Sequence, residues 1–228
     1  EIYADATLAR YGFGGAHPFG TDRQAAFVAA ARAANVIGAA RVRGGRPASV
    51  AELARFHTTD YIRLVETAEA SGRDLLDRGD TPVFPGVFPV SAHVVGAALE
   101  GLARVLDGAC RRTFQPIGGL HHAMRDRASG FCVFNDLGVV IETLRAKYGI
   151  RRVAYVDIDA HHGDGIFYPF ESDPDLIFAD LHQDSRTLFP GTGRGDESGT
   201  GAAAGTKLNI EMPPRAGDAD FLRTWPAV

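Results

Sequence analysis

The sequence contains only two cysteines, Cys110 and Cys132, among its 228 residues. Two isolated thiols without a Cys-x-x-Cys pair exclude a disulfide-stabilised scaffold and do not indicate a cysteine-based zinc or redox site. A reducing, cytoplasmic setting is therefore expected. Long apolar runs are also missing, because proline, histidine and glutamate residues between positions 85 and 100 interrupt the most apolar stretch. It falls short of the roughly 18 residues that a membrane-spanning helix needs.

An excess of one charge is absent as well. Lys plus Arg is 24 and Asp plus Glu is 28, so the net charge is −4. No basic surplus indicates a nucleic-acid partner, and no acidic tract indicates a solvated tail. Apolar residues make up 45% and charged residues 23%, which is typical of a folded globular chain. The length predicts a single domain over residues 1–228.

Two patterns of secondary structure succeed each other along the chain. The first third is predicted to be mainly helical, and short strands alternating with helices follow from residue 113, which indicates a mostly parallel sheet covered on both faces. The predicted helices are Thr21–Gly38, a short helix with a capping box at Ser49 and Glu52, Thr59–Gly72, Ser91–Asp107 and Asp136–Tyr148. The predicted strands are Thr113–Ile117, Arg152–Ile158, Leu176–Leu181 and Lys207–Glu211.

A cluster of carboxylates and imidazoles occupies residues 157–165, where the strand Arg152–Ile158 is predicted to end. Ligands bind beyond the carboxyl ends of strands in open α/β sheets. Asp159 and His161 are two residues apart, so their side chains point to the same side of an extended backbone. They offer one oxygen and one nitrogen ligand to a zinc or iron(II) ion. Asp157 and Asp164 then remain to orient neighbouring imidazoles. A lone Asp-x-His pair more often caps a turn, but the density of this cluster favours a metal site.

A second cluster places two adjacent histidines, His121 and His122, after Gly118 and Gly119. Glycines allow the backbone to approach a ligand closely. A histidine beside a buried carboxylate is a workable general base, because the carboxylate fixes its tautomer and raises its basicity. Adjacent histidines alone are typical of a surface turn. Two such dipeptides at predicted strand ends favour a catalytic role.

Together with three further motifs, these clusters resemble the histone deacetylase family, in particular its bacterial acetoin-utilization-type members. The matching segments, in the family's order, are Gly118–Ala123, Ala128–Cys132, Asn135-Asp136, Asp157–Gly165 and Leu188–Gly193. Weaker matches at His17-Pro18, Arg23 and residues 79–86 extend the resemblance over most of the chain. The resemblance implies an α/β, arginase/deacetylase-like three-layer fold with a mostly parallel central sheet.

The resemblance also implies roles for the clustered residues. Asp159 and His161 would be two of three protein ligands of a catalytic zinc ion, with iron(II) as the other possibility. His121 and His122 would be the tandem catalytic histidines. His121 would be hydrogen-bonded to Asp157, and His122 would be hydrogen-bonded to Asp164. The metal would activate a water molecule, so the expected reaction is the hydrolysis of an acetylated amine to acetate and a free amine.

The remaining implied roles concern the substrate and a second ion. Gly130, Phe131 and Phe189 would line a narrow channel for the aliphatic stem of an acyl-lysine. Asp80 would bind substrate amides at the channel rim, and Arg23 would lie in an internal channel or simply be a solvated helix residue. The expected partners are an acetylated lysine protein or peptide, or a small acetylated amine or polyamine, and neither a nucleic acid nor a membrane. A structural potassium ion would involve Asp157, Asp159, His161, Asp180 and Leu181, although Asp180 replaces an expected hydroxyl residue.

The pattern departs from the family in two places. The third metal ligand, an aspartate in a later Gly-rich loop, and the tyrosine that stabilises the transition state have no counterpart in this sequence. Asp218 and Asp220 lie where a helix is predicted to start, and the last tyrosine, Tyr168, comes too early. Two protein ligands fall short of the three typical of catalytic zinc. We therefore expect these residues to be the N-terminal part of a catalytic domain, with little or no activity by themselves.

Two other interpretations remain open. A dinuclear, manganese-dependent ureohydrolase would share the fold, but its Asp-x-His-x-Asp motif is broken here, because Gly163 stands where the bridging carboxylate belongs. A non-catalytic module that binds acylated amines is the second alternative. The tandem histidines and their two aspartates argue against it, whereas the missing tyrosine and third ligand keep it open.

Overall fold

Residues 1–143 and 144–228 form two units in the computed structural model, which describes residues 1–15, 17–38, 40–79 and 81–228. The first unit contains a two-stranded parallel sheet and is otherwise mainly helical. Its elements are β1 (Ile2–Tyr3), α1 (Arg23–Ala33), β2 (Val42–Arg43), α2 (Val50–Leu53), α3 (Thr59–Ala68), α4 (Val87–Leu106) and the first turns of α5 (Asp136–Tyr148).

Side-chain caps determine where two of these helices begin. The predicted capping box is confirmed, since Ser49 Oγ accepts the Glu52 N–H at 3.2 Å and the Glu52 carboxylate accepts the Ser49 N–H at 2.8 Å. In α3 the cap is Thr58, one residue before the predicted start, and its hydroxyl accepts the Tyr61 N–H at 3.3 Å. Each cap satisfies an amide that would otherwise have no partner in the first turn.

Two predicted elements of the first unit differ from the structure. The helix expected over Thr21–Gly38 ends at Ala33, because Asn35 adopts a left-handed backbone conformation with φ of 56°. The strand expected over Thr113–Ile117 is wrong: in the described part of the chain this segment forms one parallel bridge, between Phe114 and Ile2. Pro116 has no N–H to donate to a longer ladder.

Helix α4 is the long helix of the first unit, and it begins four residues before the predicted Ser91. Gly86 precedes it at φ 74°, and Pro89 falls in the first turn, where a missing N–H costs little. Its side chains Val90, Val94 and Val95 are fully buried in the core. No helix in the described ranges is both long enough and apolar enough to cross a bilayer.

The second unit is built on a three-stranded parallel sheet in the order β3 (Val153–Asp157), β4 (Leu176–Gln183) and β5 (Lys207–Met212). The predicted strands are confirmed to within two residues at each end. Register pairs Asp157, the last residue of β3, with Asp180 within β4, so two carboxylates lie on neighbouring strands. The unit also contains the short helices α6 (Asp164–Phe167) and α7 (Asp218–Thr224), three 3-10 turns at Tyr168–Phe170, Gly201–Ala203 and Trp225–Ala227, and the end of α5.

One face of this sheet is buried and the other is not. Tyr155 and Phe178 stack on the buried face with ring centroids 5.4 Å apart. On the opposite face Val156 is 50% exposed and Ile177 is 51% exposed. The described residues therefore cover one face of these strands and leave the second face open. Residues at successive positions of a strand alternate between the two faces, and only one set is covered here.

Candidate active site

The turn that follows β3 brings Asp159 and His161 together. The Asp159 N–H donates to Asp157 Oδ1 at 3.0 Å, and the His161 N–H donates to Asp159 Oδ1 at 2.8 Å. In each case a carboxylate accepts the amide two residues further along, which is how aspartate stabilises a tight turn. His161 Nδ1 lies 2.8 Å from Asp159 Oδ1, and the two side chains are 40% and 52% exposed. A carboxylate oxygen and an imidazole nitrogen thus lie next to each other at an accessible position.

These two side chains fit a divalent metal as part of a ligand set. Carboxylate and imidazole suit zinc and iron(II) in chemistry, and their donor atoms are close enough to share one ion. Within the described ranges there is no group of three or more His, Cys, Asp or Glu side chains that could hold a metal ion. Asp159 and His161 thus offer two donor groups, one fewer than the three protein ligands of a typical catalytic zinc site.

Asp157 and Asp164, at either end of the turn, are both buried. Asp157 accepts hydrogen bonds from the Tyr155 hydroxyl and from the Asp159 amide. Asp164 is the first residue of α6, and its Oδ1 accepts the Gly165 N–H at 3.0 Å. A carboxylate at this position is stabilised by the unpaired amides at the helix N-terminus.

Asp180 and Leu181 lie within β4 and are buried. Asp180 Oδ2 accepts the Gly163 N–H at 2.8 Å, and its Oδ1 lies 2.8 Å from His182 Nδ1. Burial raises the pKa of Asp180, and the neighbouring Asp157 carboxylate adds to the rise. Burial alone would lower the pKa of His182, but the hydrogen bond and charge of Asp180, together with the Gly193 carbonyl and the Glu211 charge, outweigh burial and raise that pKa.

The loop Leu188–Gly193 carries Phe189, which is 44% exposed. The Phe189 and His161 rings meet edge to face, with centroids 6.3 Å apart. Gly193 ends the loop at φ 86°, and its carbonyl lies 2.7 Å from His182 Nε2. The second unit therefore places an aromatic side chain beside one of the two candidate metal ligands.

In the first unit, His121 and His122 are buried, and their ring centroids are 4.1 Å apart. The loop that bears them is held by Asp136, whose two oxygens accept the N–H groups of Gly119 at 3.1 Å and Leu120 at 2.8 Å. Burial raises the pKa of Asp136. A carboxylate at the start of α5 thus fixes the backbone immediately before the tandem histidines.

Phe131 is held in a left-handed backbone conformation, with φ of 69°, directly after Gly130 at φ 53°. Such a conformation costs about 1–2 kcal/mol for a residue with a side chain, so the surroundings must enforce it. The Phe131 N–H donates to Thr81 Oγ1 at 3.2 Å, and its carbonyl accepts the Tyr11 hydroxyl at 2.7 Å. His17 packs edge to face on the Phe131 ring, with centroids 4.4 Å apart.

Asp80 lies outside the described residues. Arg23 is exposed at the start of α1, and its guanidinium lies 4.3 Å from the centre of the Phe19 ring. Of the two alternatives that the sequence left open for Arg23, an internal-channel residue and a solvated helix residue, its exposure favours the second.

Several positioning residues were missed by the sequence analysis. Tyr11 and Thr81, which hold Phe131, are distant from it in sequence and carry no local signal. His182 does carry one, because Asp180-Leu181-His182 repeats the Asp-x-His spacing of Asp159-Ala160-His161. The motif Asn135-Asp136 was noted, but its role in holding the histidine loop depends on a contact 17 residues away.

Comparison with known proteins gives a consistent result over both units. The family described as "Histone deacetylase domain" matches residues 17–227. The acetoin utilization protein AcuC of Bacillus subtilis (strain 168) is 37% identical over 223 residues, which cover 94% of this chain and 57% of that protein. Histone deacetylase 8 of Danio rerio is 36% identical over 188 residues, covering 79% of this chain and 49% of that protein.

Solved structures agree with the sequence relatives. The crystal structure of an HDAC homolog from Aquifex aeolicus superimposes with a TM-score of 0.87 at 31% identity, covering 98% of this chain and 62% of that one. A structure of an HDAC homolog complexed with SAHA matches equally well. The α/β fold with parallel sheets is therefore confirmed. The chain spans between about half and three fifths of the length of these relatives.

Proposed function

Because this chain belongs to the histone deacetylase family, we propose that it forms part of a metal-dependent amide hydrolase that removes acetyl or other acyl groups from lysine side chains or related amines. The observation that carries the proposal is the pairing of Asp159 and His161 on the exposed turn after β3, with Nδ1 and Oδ1 2.8 Å apart. The match over residues 17–227 supports assigning both units to one catalytic domain.

Asp159 and His161 would hold the metal, zinc or iron(II). When bound, the metal would polarise the acyl carbonyl and lower the pKa of a water molecule. We assign no third ligand and no transition-state tyrosine among the described residues. These 228 residues by themselves should therefore bind metal weakly and hydrolyse substrate poorly.

His121 and His122 are proposed as the proton carriers of the reaction. One would take a proton from the attacking water, and the other would protonate the leaving amine. Asp157 and Asp164 are proposed as the carboxylates that set the tautomer and basicity of these imidazoles. The hydrogen bonds from the Gly119 and Leu120 N–H groups to Asp136 support the role of His121 and His122 as proton carriers, because they fix the backbone that carries both rings.

For the substrate, we propose an acylated lysine or a small acylated amine, with Gly130, Phe131 and Phe189 lining the path of its aliphatic stem. Asp80 is proposed to bind substrate amides at the rim. The strained but firmly held backbone of Phe131 supports a role for its ring, because strain of this kind persists mainly at functional positions. A structural relative with the same fold is complexed with SAHA, which supports a ligand-binding role for this fold.

A structural potassium ion is proposed near the carboxyl ends of β3 and β4. Its candidate ligands are Asp157, Asp159, His161, Asp180 and Leu181. The cytoplasm is the proposed location of this chemistry, in keeping with the low cysteine content of the chain.

The dinuclear ureohydrolase alternative is disfavoured by Gly163. A Cβ atom at this position would lie 2.7 Å from Asp157 Oδ2. A bridging carboxylate therefore has no room at the position where that class of enzyme needs one. The arrangement favours a single metal ion.

Hydrolysis of an acetyl-lysine peptide by the purified, metal-loaded hydrolase of which this chain is proposed to form part tests the proposal, and the later assays use the same protein. We expect turnover with one equivalent of zinc or iron(II), and its loss in His121→Gln and His122→Gln. The matched control is His57→Gln, since His57 is a buried histidine in the same unit whose Nε2 accepts the Asn135 N–H. Activity with two manganese ions on a guanidino substrate would establish the ureohydrolase instead. Peptide binding without turnover would establish a binding module.

A further inference from the structure

A buried ion pair that no step of the proposed hydrolysis uses connects two loops of the second unit. Asp180 and His182 are each at most 1% exposed. Asp180 binds the Gly163 amide with one oxygen and His182 Nδ1 with the other, both at 2.8 Å. His182 Nε2 then lies 2.7 Å from the Gly193 carbonyl. Because a carbonyl only accepts hydrogen bonds, Nε2 carries a proton and donates it.

The loop Leu188–Gly193 is anchored at its last residue, Gly193. Its N–H donates to Glu197 Oε1 at 3.1 Å, so both of its backbone polar groups are bound. A Cβ atom here would lie 2.5 Å from His162 ring carbons and 2.7 Å from His182 Nε2. The preceding residue, Thr192, contacts His162 Nδ1 through its hydroxyl at 2.9 Å. The loop end is thus packed against two imidazoles with no space to shift.

The chain of contacts runs from the metal-ligand turn to the loop that bears Phe189. It begins at Gly163, two residues after His161, passes through Asp180 and His182, and ends at Gly193. All of its members lie in the second unit and are held within hydrogen-bonding distance. A shift of either loop would break a buried hydrogen bond, which is costly in an interior without water.

We propose that Asp180 and His182 are positioning residues for acyl-group binding, and that they hold Phe189 in place beside the turn that carries Asp159 and His161. The inference rests on the proposed function, because the role of Phe189 as a wall of the substrate path comes from it. The pair acts through the Leu188–Gly193 loop and touches neither the substrate nor the catalytic metal.

Geometry rather than charge is the property that matters in this pair. In Asp180→Asn the amide oxygen still accepts the Gly163 N–H, and the amide NH2 donates to Nδ1 of a neutral His182 whose Nε2 still donates to Gly193. Every hydrogen bond of the chain is retained. Asp180→Asn should therefore leave the Leu188–Gly193 loop held in place, whereas His182→Ala removes the contact to Gly193 and releases the loop.

A double-mutant cycle between His182 and Phe189 tests the proposal. His182→Ala and Phe189→Ala should each raise KM for an acetyl-lysine peptide about tenfold, the usual effect of a lost apolar contact, with kcat changed far less. The double variant should be no worse than the more affected single variant, since interacting residues are not additive. The matched control is Gln183→Ala, which removes an exposed contact to Thr187 Oγ1 from the next residue of β4 and should leave KM unchanged. Additive effects, or an unchanged KM in His182→Ala, would overturn the proposal.

Hydrogen exchange of the loop amides separates failure of this inference from failure of the proposed function. His182→Ala should increase exchange at residues 191–195, and Asp180→Asn should not. If the wild type hydrolyses no acylated amine, the proposed function fails and the exchange result still decides whether the pair holds the loop. Unchanged exchange in His182→Ala would refute the positioning role in either case.

Discussion

Replacing Asp136 with asparagine tests how the tandem histidines are held in place. Asp136 is buried, and its two oxygens accept the backbone N–H groups of Gly119 and Leu120 at 3.1 and 2.8 Å. Asparagine has the same shape but only one oxygen, so its NH2 group must face one of these two donors. One buried N–H then lacks an acceptor, which costs about 1–3 kcal/mol. We expect the free energy of unfolding to fall by about 2 kcal/mol.

Urea denaturation at pH 7 measures this loss, and the peptide assay measures its effect on the reaction. Because the loop carries both proposed proton carriers, a small displacement should lower kcat about tenfold or more. The matched control is Asp126→Asn, in which a 62% exposed carboxylate paired with Arg127 is neutralised. A surface pair of this kind contributes about 0–1 kcal/mol. The reasoning is refuted if Asp136→Asn is as stable and as active as Asp126→Asn.

Three further changes have definite expected outcomes. Burial lowers the pKa of His57 to about 4, so between pH 6.5 and 4 the unfolded chain binds a proton that the folded chain does not. The resulting stability is present above pH 6.5 and is lost on acidification, by about 1.4 kcal/mol at pH 5.5, and His57→Gln should remove this pH dependence of urea unfolding. Gly138→Ala should cost about 1–3 kcal/mol in the same measurement, because its Cβ would lie 2.7 Å from the Phe56 ring. Ser49→Ala removes the N-cap of α2 and should cost about 1 kcal/mol, seen as a lower urea midpoint with an unchanged m-value.

Features encoded by local sequence were predicted well. Helix α5 has the predicted bounds, Asp136–Tyr148. The determinants are local: Asn135 Oδ1 accepts the Gly138 N–H at the start of the helix, and Gly149 ends it at φ 69°. The capping box at Ser49 and the three strands of the second unit are local patterns of the same kind. The Asp-x-His spacing predicted that the side chains of Asp159 and His161 lie together, but on an extended backbone, whereas the two residues lie on a turn in which Asp159 accepts the His161 amide.

Features that depend on distant partners could not be predicted from one sequence. The segment Thr113–Ile117 has the composition of a strand, but a ladder needs a neighbour along its whole length, and only Phe114 has one. Burial of Val156 depends on what covers that face of the sheet, which periodicity does not reveal. The support of Phe131 by Tyr11 joins residues 120 positions apart. Such contacts arise only when the chain has folded.

Equilibrium titration of the purified protein with zinc tests the central claim, that Asp159 and His161 bind the catalytic metal. Asp159→Asn and His161→Ala should each weaken zinc affinity about 100-fold. Loss of a residue that only hydrogen-bonds to a metal ligand costs about 10- to 100-fold in affinity, and loss of a ligand should cost at least the upper value. Asp196→Asn, which alters a 77% exposed carboxylate in the same unit, should leave the affinity unchanged. Equal zinc affinity in the wild type, Asp159→Asn and His161→Ala would contradict the account.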